Sequence, residues 1–162
     1  MRVLAIVFAS VLAAAPLTAA QTRGAKPAAG KTPAGEVRTV DVIGTDDMKY
    51  SVTTITAKRG ETLRIRLMSR GTMPKVVMAH NVVVLKLGTN AGKFATDGAP
   101  HRQTDFIPPA MASAVLAKTA FAGPGETVQV TFPVPQKPGS YPFVCTFPGH
   151  FQAGMKGTLI VK

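Results

Sequence analysis

The chain has 162 residues and a mass of 16.9 kDa, with 46% apolar and 17% charged residues. That is enough for one domain with a tail and too little for two full domains. Its single cysteine excludes an internal disulfide and any four-thiolate zinc or iron–sulfur site. The net charge is +11, yet there is no basic run and no aromatic interleaving, so nothing points to nucleic acid.

Residues 1–20 read as an export signal. Arg2 supplies a positive start, Val3–Ala9 and Val11–Ala15 an apolar stretch, Pro16 a helix break, and Thr18-Ala19-Ala20 the small residues of a cleavage site. The apolar part is short against the ~20 residues of a membrane span; retention as an N-terminal anchor is the alternative. Residues 21–35, rich in Ala, Gly, Pro, Thr and Lys, show no apolar periodicity and read as a flexible tether. The remaining domain, 36–162, holds 15 basic and 8 acidic residues, a net of +7. This charge either keeps the surface soluble or steers encounters with an acidic partner or a membrane surface.

The domain reads as all-β. Strands are expected over Glu36–Ile43, Tyr50–Thr56, Thr62–Ser69, Asn81–Leu87, Thr127–Phe132, Ser140–Thr146 and Gly157–Val161, separated by Gly and Pro turns. Arg64 and Arg66 alternate with Leu63, Ile65 and Leu67, as one solvated strand face does. Gly88–Pro109 is a long polar connection, and Ala110–Ala117 has room for one or two helical turns leading into a strand. Short strands at this spacing make a sandwich or a barrel.

The chemistry lies near the C-terminus. Cys145, His150 and Met155 fall at five-residue steps on a loop between the last two strands, and His80 stands just before an upstream strand. Two imidazoles, one thiolate and a weak thioether form the donor set of a mononuclear electron-transfer copper site, although the same donors also bind zinc. A lone thiol exported to an oxidising compartment is prone to oxidation, and a bound metal removes that hazard. A Cys–His hydrolase needs an oxyanion hole and an orienting partner, neither of which is evident. A copper oxidase needs more than three histidines. The reading is therefore not an enzyme.

Met78-Ala79-His80-Asn81 and Cys145-Thr146-Phe147-Pro148-Gly149-His150 resemble the two copper-binding stretches of the azurins and auracyanins, blue copper proteins of the cupredoxin family. Gly44–Met48, Met73-Pro74-Lys75, Thr127–Phe132 and Met155–Leu159 fall where azurins have similar runs. The resemblance implies a Greek-key β-sandwich binding one copper ion through His80, Cys145, His150 and Met155, with the carbonyl of Ala79 as a distant contact. It implies that Asn81 braces the two ligand loops and that the backbone N–H of Phe147 donates to the thiolate. Met48, Met73, Val77, Met78, Phe147, Pro148 and Ala153 would form an apolar rim around an exposed edge of His150. The implied role is a monomeric, periplasmic or otherwise extracytoplasmic one-electron carrier between redox proteins such as c-type cytochromes or a terminal oxidase or reductase. A copper-delivering chaperone is the alternative. The chain departs from azurins in four ways: one extra residue between His150 and Met155 (a spacing shared with auracyanin, plastocyanin and pseudoazurin), no disulfide, Ser69 where azurins carry a buried His, and the additional N-terminal tether. His101 matches no ligand and reads as a surface residue.

Overall fold

The computed structural model describes residues 35–162, so the export segment and all of the tether except Gly35 lie outside the described residues. Two sheets face each other in a Greek-key β-sandwich, as expected. One has the order β2-β1-β4-β7, built from β1 (Val37–Thr45), β2 (Lys49–Tyr50), β4 (Thr62–Arg70) and β7 (Thr127–Pro133). The other has the order β3-β9-β8-β5-β6, built from β3 (Thr54–Ala57), β5 (Val83–Leu85), β6 (Val115–Lys118), β8 (Gly139–Val144) and β9 (Lys156–Val161). β1 runs parallel to β4, and β3 parallel to β9; the remaining pairings are antiparallel.

The strand β4 shows how the sequence pattern builds a sheet. Leu63, Ile65 and Leu67 point inward and are fully buried, which drives association of the layers at roughly 1.5–3 kcal/mol per side chain. The alternate residues face out. Arg66 lies opposite Asp41 in the parallel register and makes a two-pronged ion pair with it at 2.7 and 2.6 Å. Arg64 reaches Thr131 on the other neighbouring strand at 3.2 Å. The alternation of arginine with aliphatic residues is therefore a solvated face, as the sequence predicts.

Two expectations are corrected. Tyr50–Thr56 is not one strand. Met48 takes a left-handed conformation (φ 56°), and Ile43 and Ser51 exchange two hydrogen bonds of 2.9 Å that close β2 onto β1. Thr53 O then accepts from Thr158 N at 2.8 Å, and the chain enters the other sheet as β3. β-Branched content signals extended backbone but not which sheet receives it. The second concerns position alone: the short helical insertion expected in the long connection is present, as α1 (Ala91–Gly98), and lies ahead of Ala110, its start capped by Asn90 Oδ1 accepting from Lys93 N at 2.9 Å. The helical turns expected over Ala110–Ala117 are a 3-10 segment, Pro109–Ala114, leading into β6.

α1 explains the unbroken apolar run before Lys86. Val82 and Val84 enter the main core between the sheets, while Val83 and Leu85 pack with Val144, Phe94 and Ile107 beneath the helix. A strand covered on both faces loses its alternation. This second core fastens β5 and β8, the strands nearest the chemistry. Phe94, fully buried, is its largest member. Phe94→Ala is expected to lower stability by about 3–5 kcal/mol, measured by urea unfolding of the metal-free protein; a loss below ~1 kcal/mol would mean that α1 does not anchor these strands.

Candidate metal centre

The two groups of candidate residues meet where the β5–β8 ladder runs out. Val83 pairs with Val144 and Val84 with Phe143. Continued in that register, Asn81 falls opposite Thr146. Here side chain replaces main chain: Thr146 N donates to Asn81 Oδ1 and Asn81 Nδ2 donates to Thr146 Oγ1, each at 2.9 Å. Both residues are buried. This clasp joins the segment carrying His80 to the loop carrying Cys145 and His150. Asn81 thus braces the two loops, the contact implied by the resemblance.

Each neighbouring residue is held by backbone. His80 exchanges two hydrogen bonds with Ala122, at 3.0 and 2.8 Å. Cys145 N donates to Met155 O at 3.1 Å, His150 N to Phe147 O at 3.1 Å, and Met155 N to His150 O at 2.9 Å. Gly149 and Gly154, both with positive φ (86° and 102°), permit the tight winding of this loop. Gly44 lets β1 pass close by: a Cβ there would stand 3.0 Å from both the His80 ring and the methyl end of Met155. The thioether therefore lies beside the His80 imidazole, at the inner end of β1.

The ring nitrogens of His80 and His150 and the sulfur of Cys145 lie within 4.8 Å of one another. All three side chains are buried, as is Met155. Cys145 Sγ is 3.4 Å from His150 Nδ1 and 3.9 Å from the carbonyl oxygen of Ala79. The two imidazole centroids are 5.1 Å apart. Neither nitrogen of His80 has a hydrogen-bond partner. A buried polar atom left bare costs roughly 1–3 kcal/mol, and a metal ion drawing on a ring nitrogen removes that cost. No carboxylate belongs to the cluster. Imidazole and thiolate without carboxylate suit a soft or borderline transition metal and not calcium or magnesium.

The electrostatics agree with a site made for neutral imidazoles. Burial pushes His150 down to about 4, reinforced by the nearby His80. Burial also lowers His80, against an opposing pull from Asp46. Burial raises the Cys145 thiol to about 11, against the opposing pull of the nearby backbone N–H groups of Asn81 and Phe147 and of the Tyr50 hydroxyl. A bound cation reverses the last shift, because it deprotonates a coordinating thiol.

The rim differs from expectation in part. Met73 and Val77 are exposed, but Met78 is buried, since Val77 and Met78 both hydrogen-bond back to Pro74 O and turn the latter inward. Val76, 65% exposed, was not foreseen. His150 exposes only 2% of its surface, with the Phe147 ring 4.8 Å away covering it. His101 is half-buried, follows α1 with its backbone N–H on Gly98 O, and is no part of the cluster. Ser69 is buried and holds the β4 end through backbone bonds to Gly125 and Glu126. Two contributors left no mark in the local sequence: Tyr50, whose hydroxyl reaches Asn81 from another sheet, and Asp105, whose carbonyl accepts from Thr146 Oγ1 at 2.7 Å.

Comparison with known proteins returns a consistent set. The profile described as copper binding proteins, plastocyanin/azurin family, matches residues 37–162. Azurin from Pseudomonas chlororaphis is 40% identical over 127 residues, covering 76% of this chain and 97% of that protein. Auracyanin-B from Chloroflexus aurantiacus is 34% identical over 154 residues, covering 92% of this chain; the match spans 63% of its length. Among solved structures, reduced auracyanin from Roseiflexus castenholzii superposes with a TM-score of 0.67 at 29% identity, over 76% of this chain and 96% of that one.

The shifts fix how stability of the metal-free protein depends on pH. Between about 4 and the ordinary histidine value near 6.5, the unfolded chain binds more protons than the folded one, so stability rises with pH there. Between the ordinary thiol value near 9.0 and about 11 the folded protein holds the extra proton, so stability falls as pH rises. Urea unfolding of metal-free protein from pH 4 to 10 is expected to give a plateau between these windows. A flat profile across the acid window would mean that the imidazoles are not held neutral.

Proposed function

Because the chain belongs to the plastocyanin/azurin family of copper-binding proteins, we propose that it is a blue copper electron carrier that works outside the cytoplasmic membrane. The observation that carries the reading is the convergence of two buried imidazoles and a buried thiol within 4.8 Å, with both His80 nitrogens bare. His80, Cys145 and His150 would hold the ion, with Met155 as a weak further donor and the Ala79 carbonyl as a distant contact. The copper supplies a one-electron couple between Cu(II) and Cu(I).

The chain's own residues account for the rest. Tight backbone anchoring of all three donors keeps rearrangement small when the charge changes, which favours fast exchange. Burial excludes water and small oxidants from the thiolate. Donation from the Asn81 and Phe147 N–H groups withdraws density from sulfur and favours the reduced state. Met73, Val76 and Val77, three of the four large apolar side chains exposed among the described residues, cluster on the loop before His80. They form a small greasy patch suited to brief docking, with Phe147 and His150 as the route inward.

Partners such as c-type cytochromes or a terminal oxidase or reductase fit a patch of this kind, and a monomer leaves it free. Delivery of copper, the second reading, is disfavoured by the burial of the donors, which suits retention. The extracytoplasmic location rests on the export-like sequence of residues 1–20. Among the described residues no helix is long and apolar enough to cross a membrane. A carrier of this design has no bound substrate to transform, so it is not an enzyme.

Copper-loaded protein is expected to show strong visible charge-transfer absorption and reversible one-electron cycling. Cys145→Ser abolishes the absorption, whereas Met155→Leu keeps it and raises the potential. Strong absorption in the Cys145→Ser protein would rule out the site. The +7 of residues 36–162 should make the rate of reduction by the anion ferrocyanide fall as ionic strength rises from about 0.01 M to about 1 M. A flat response would leave the charge as a matter of solubility.

A further inference from the structure

Tyr50 is a polar group with no task in the scheme above. It ends β2, the two-residue strand, and its ring is buried against Phe143 at 5.7 Å between centroids. Packing alone would be served by phenylalanine. Its hydroxyl donates to the carbonyl of Asn81, the residue whose own N–H points at the Cys145 sulfur and whose side chain clasps Thr146. The Tyr50 hydroxyl and the Cys145 thiol also act on each other's charge, the hydroxyl easing ionisation of the thiol and the thiolate opposing that of the phenol. Asn81 is thus gripped at its N–H, its carbonyl and its amide, and one grip comes from a different sheet. A buried phenol whose proton goes to the residue that clasps both ligand-bearing segments has a function beyond filling space.

We propose that Tyr50 is a positioning residue of the copper centre: its buried hydroxyl, reaching from the opposite sheet, locks Asn81 by its carbonyl and so holds the Asn81 N–H beside the Cys145 thiolate, raising the reduction potential. The inference rests on the copper reading. The physical direction follows from charge. The sulfur carries more negative charge when the metal is Cu(I), so a donor beside it stabilises the reduced state more than the oxidised one. Withdrawing the donor raises the energy of the sulfur electrons, and light then moves one of them to Cu(II) at longer wavelength. The site lies in an interior of low effective dielectric, where such a donor has more effect than in water.

The test is Tyr50→Phe in the full copper-loaded chain, with Tyr141→Phe as control, since Tyr141 donates instead to the carbonyl of Lys137 at 2.7 Å, away from the cluster. Tyr50→Phe is expected to shift the one-electron equilibrium several-fold toward the oxidised state, up to about tenfold, which is about 59 mV for one electron. Its charge-transfer band should move to longer wavelength. In the diamagnetic Cu(I) form, proton NMR should show a slowly exchanging Tyr50 hydroxyl proton, absent from the variant, and an Asn81 amide proton whose shift changes in the variant. If Tyr50→Phe does not fold, 3-fluorotyrosine incorporated in the Tyr141→Phe background labels Tyr50 alone. Its more acidic phenol is a stronger donor and should raise the potential. An unchanged potential and band in Tyr50→Phe, or an unchanged potential with the fluorinated residue, overturns the proposal while leaving the carrier reading intact. A wild-type protein with no charge-transfer band would overturn the carrier reading instead.

Discussion

Two ring nitrogens sealed from water with nothing to bond are the constraint around which this structure is arranged. His80 exposes none of its surface, and both its nitrogens lack partners. A folded chain tolerates this only where the rest of the structure overdetermines the side chain. Here the His80 backbone is tied to Ala122 on one side, Asn81 is clasped to Thr146 on the other, and Gly44 gives the ring room on a third. The scaffold holds the donors and the ion satisfies them. Stability is thereby exchanged for a cradle that is ready before any metal arrives.

The clasp reaches further than the site. Thr146 Oγ1 donates to Asp105 O, and Asp105 and Phe106 both take left-handed backbone conformations (φ 55° and 56°) that ordinary residues avoid. Phe106 stacks edge-on against Phe121 and Phe147, and Phe147 lies 4.8 Å from the His150 ring. One buried threonine therefore links the position after Cys145 to a strained surface turn and to the aromatic cover of His150. Strain of this kind, roughly 1–3 kcal/mol per residue, persists where surrounding contacts fix it.

Much of this was legible in the sequence because it is written in short range. The five-residue steps of Cys145, His150 and Met155 describe one loop. The alternation of Leu63, Ile65 and Leu67 with Arg64 and Arg66 describes one strand. What was not legible depends on distant pairing. Nothing between Tyr50 and Thr56 says that the chain changes sheets there, because the partners that decide it, Ile43 and Thr158, lie on different strands. α1 is eight residues long, too short for a clear helical period, and is made stable by Phe94 meeting the back of β5 and β8. Met78, expected in the rim, is buried, since one turn of backbone at Pro74 sets which residues of that loop face out.

The central claim is that the fold presets one ligand arrangement serving both charge states of the metal. X-ray absorption at the copper edge, recorded on the same sample oxidised and then reduced, tests it most directly. The account predicts the same two nitrogens and one short sulfur contact in both spectra, with only slight lengthening on reduction. Loss of a nitrogen or of the sulfur in either state would contradict it.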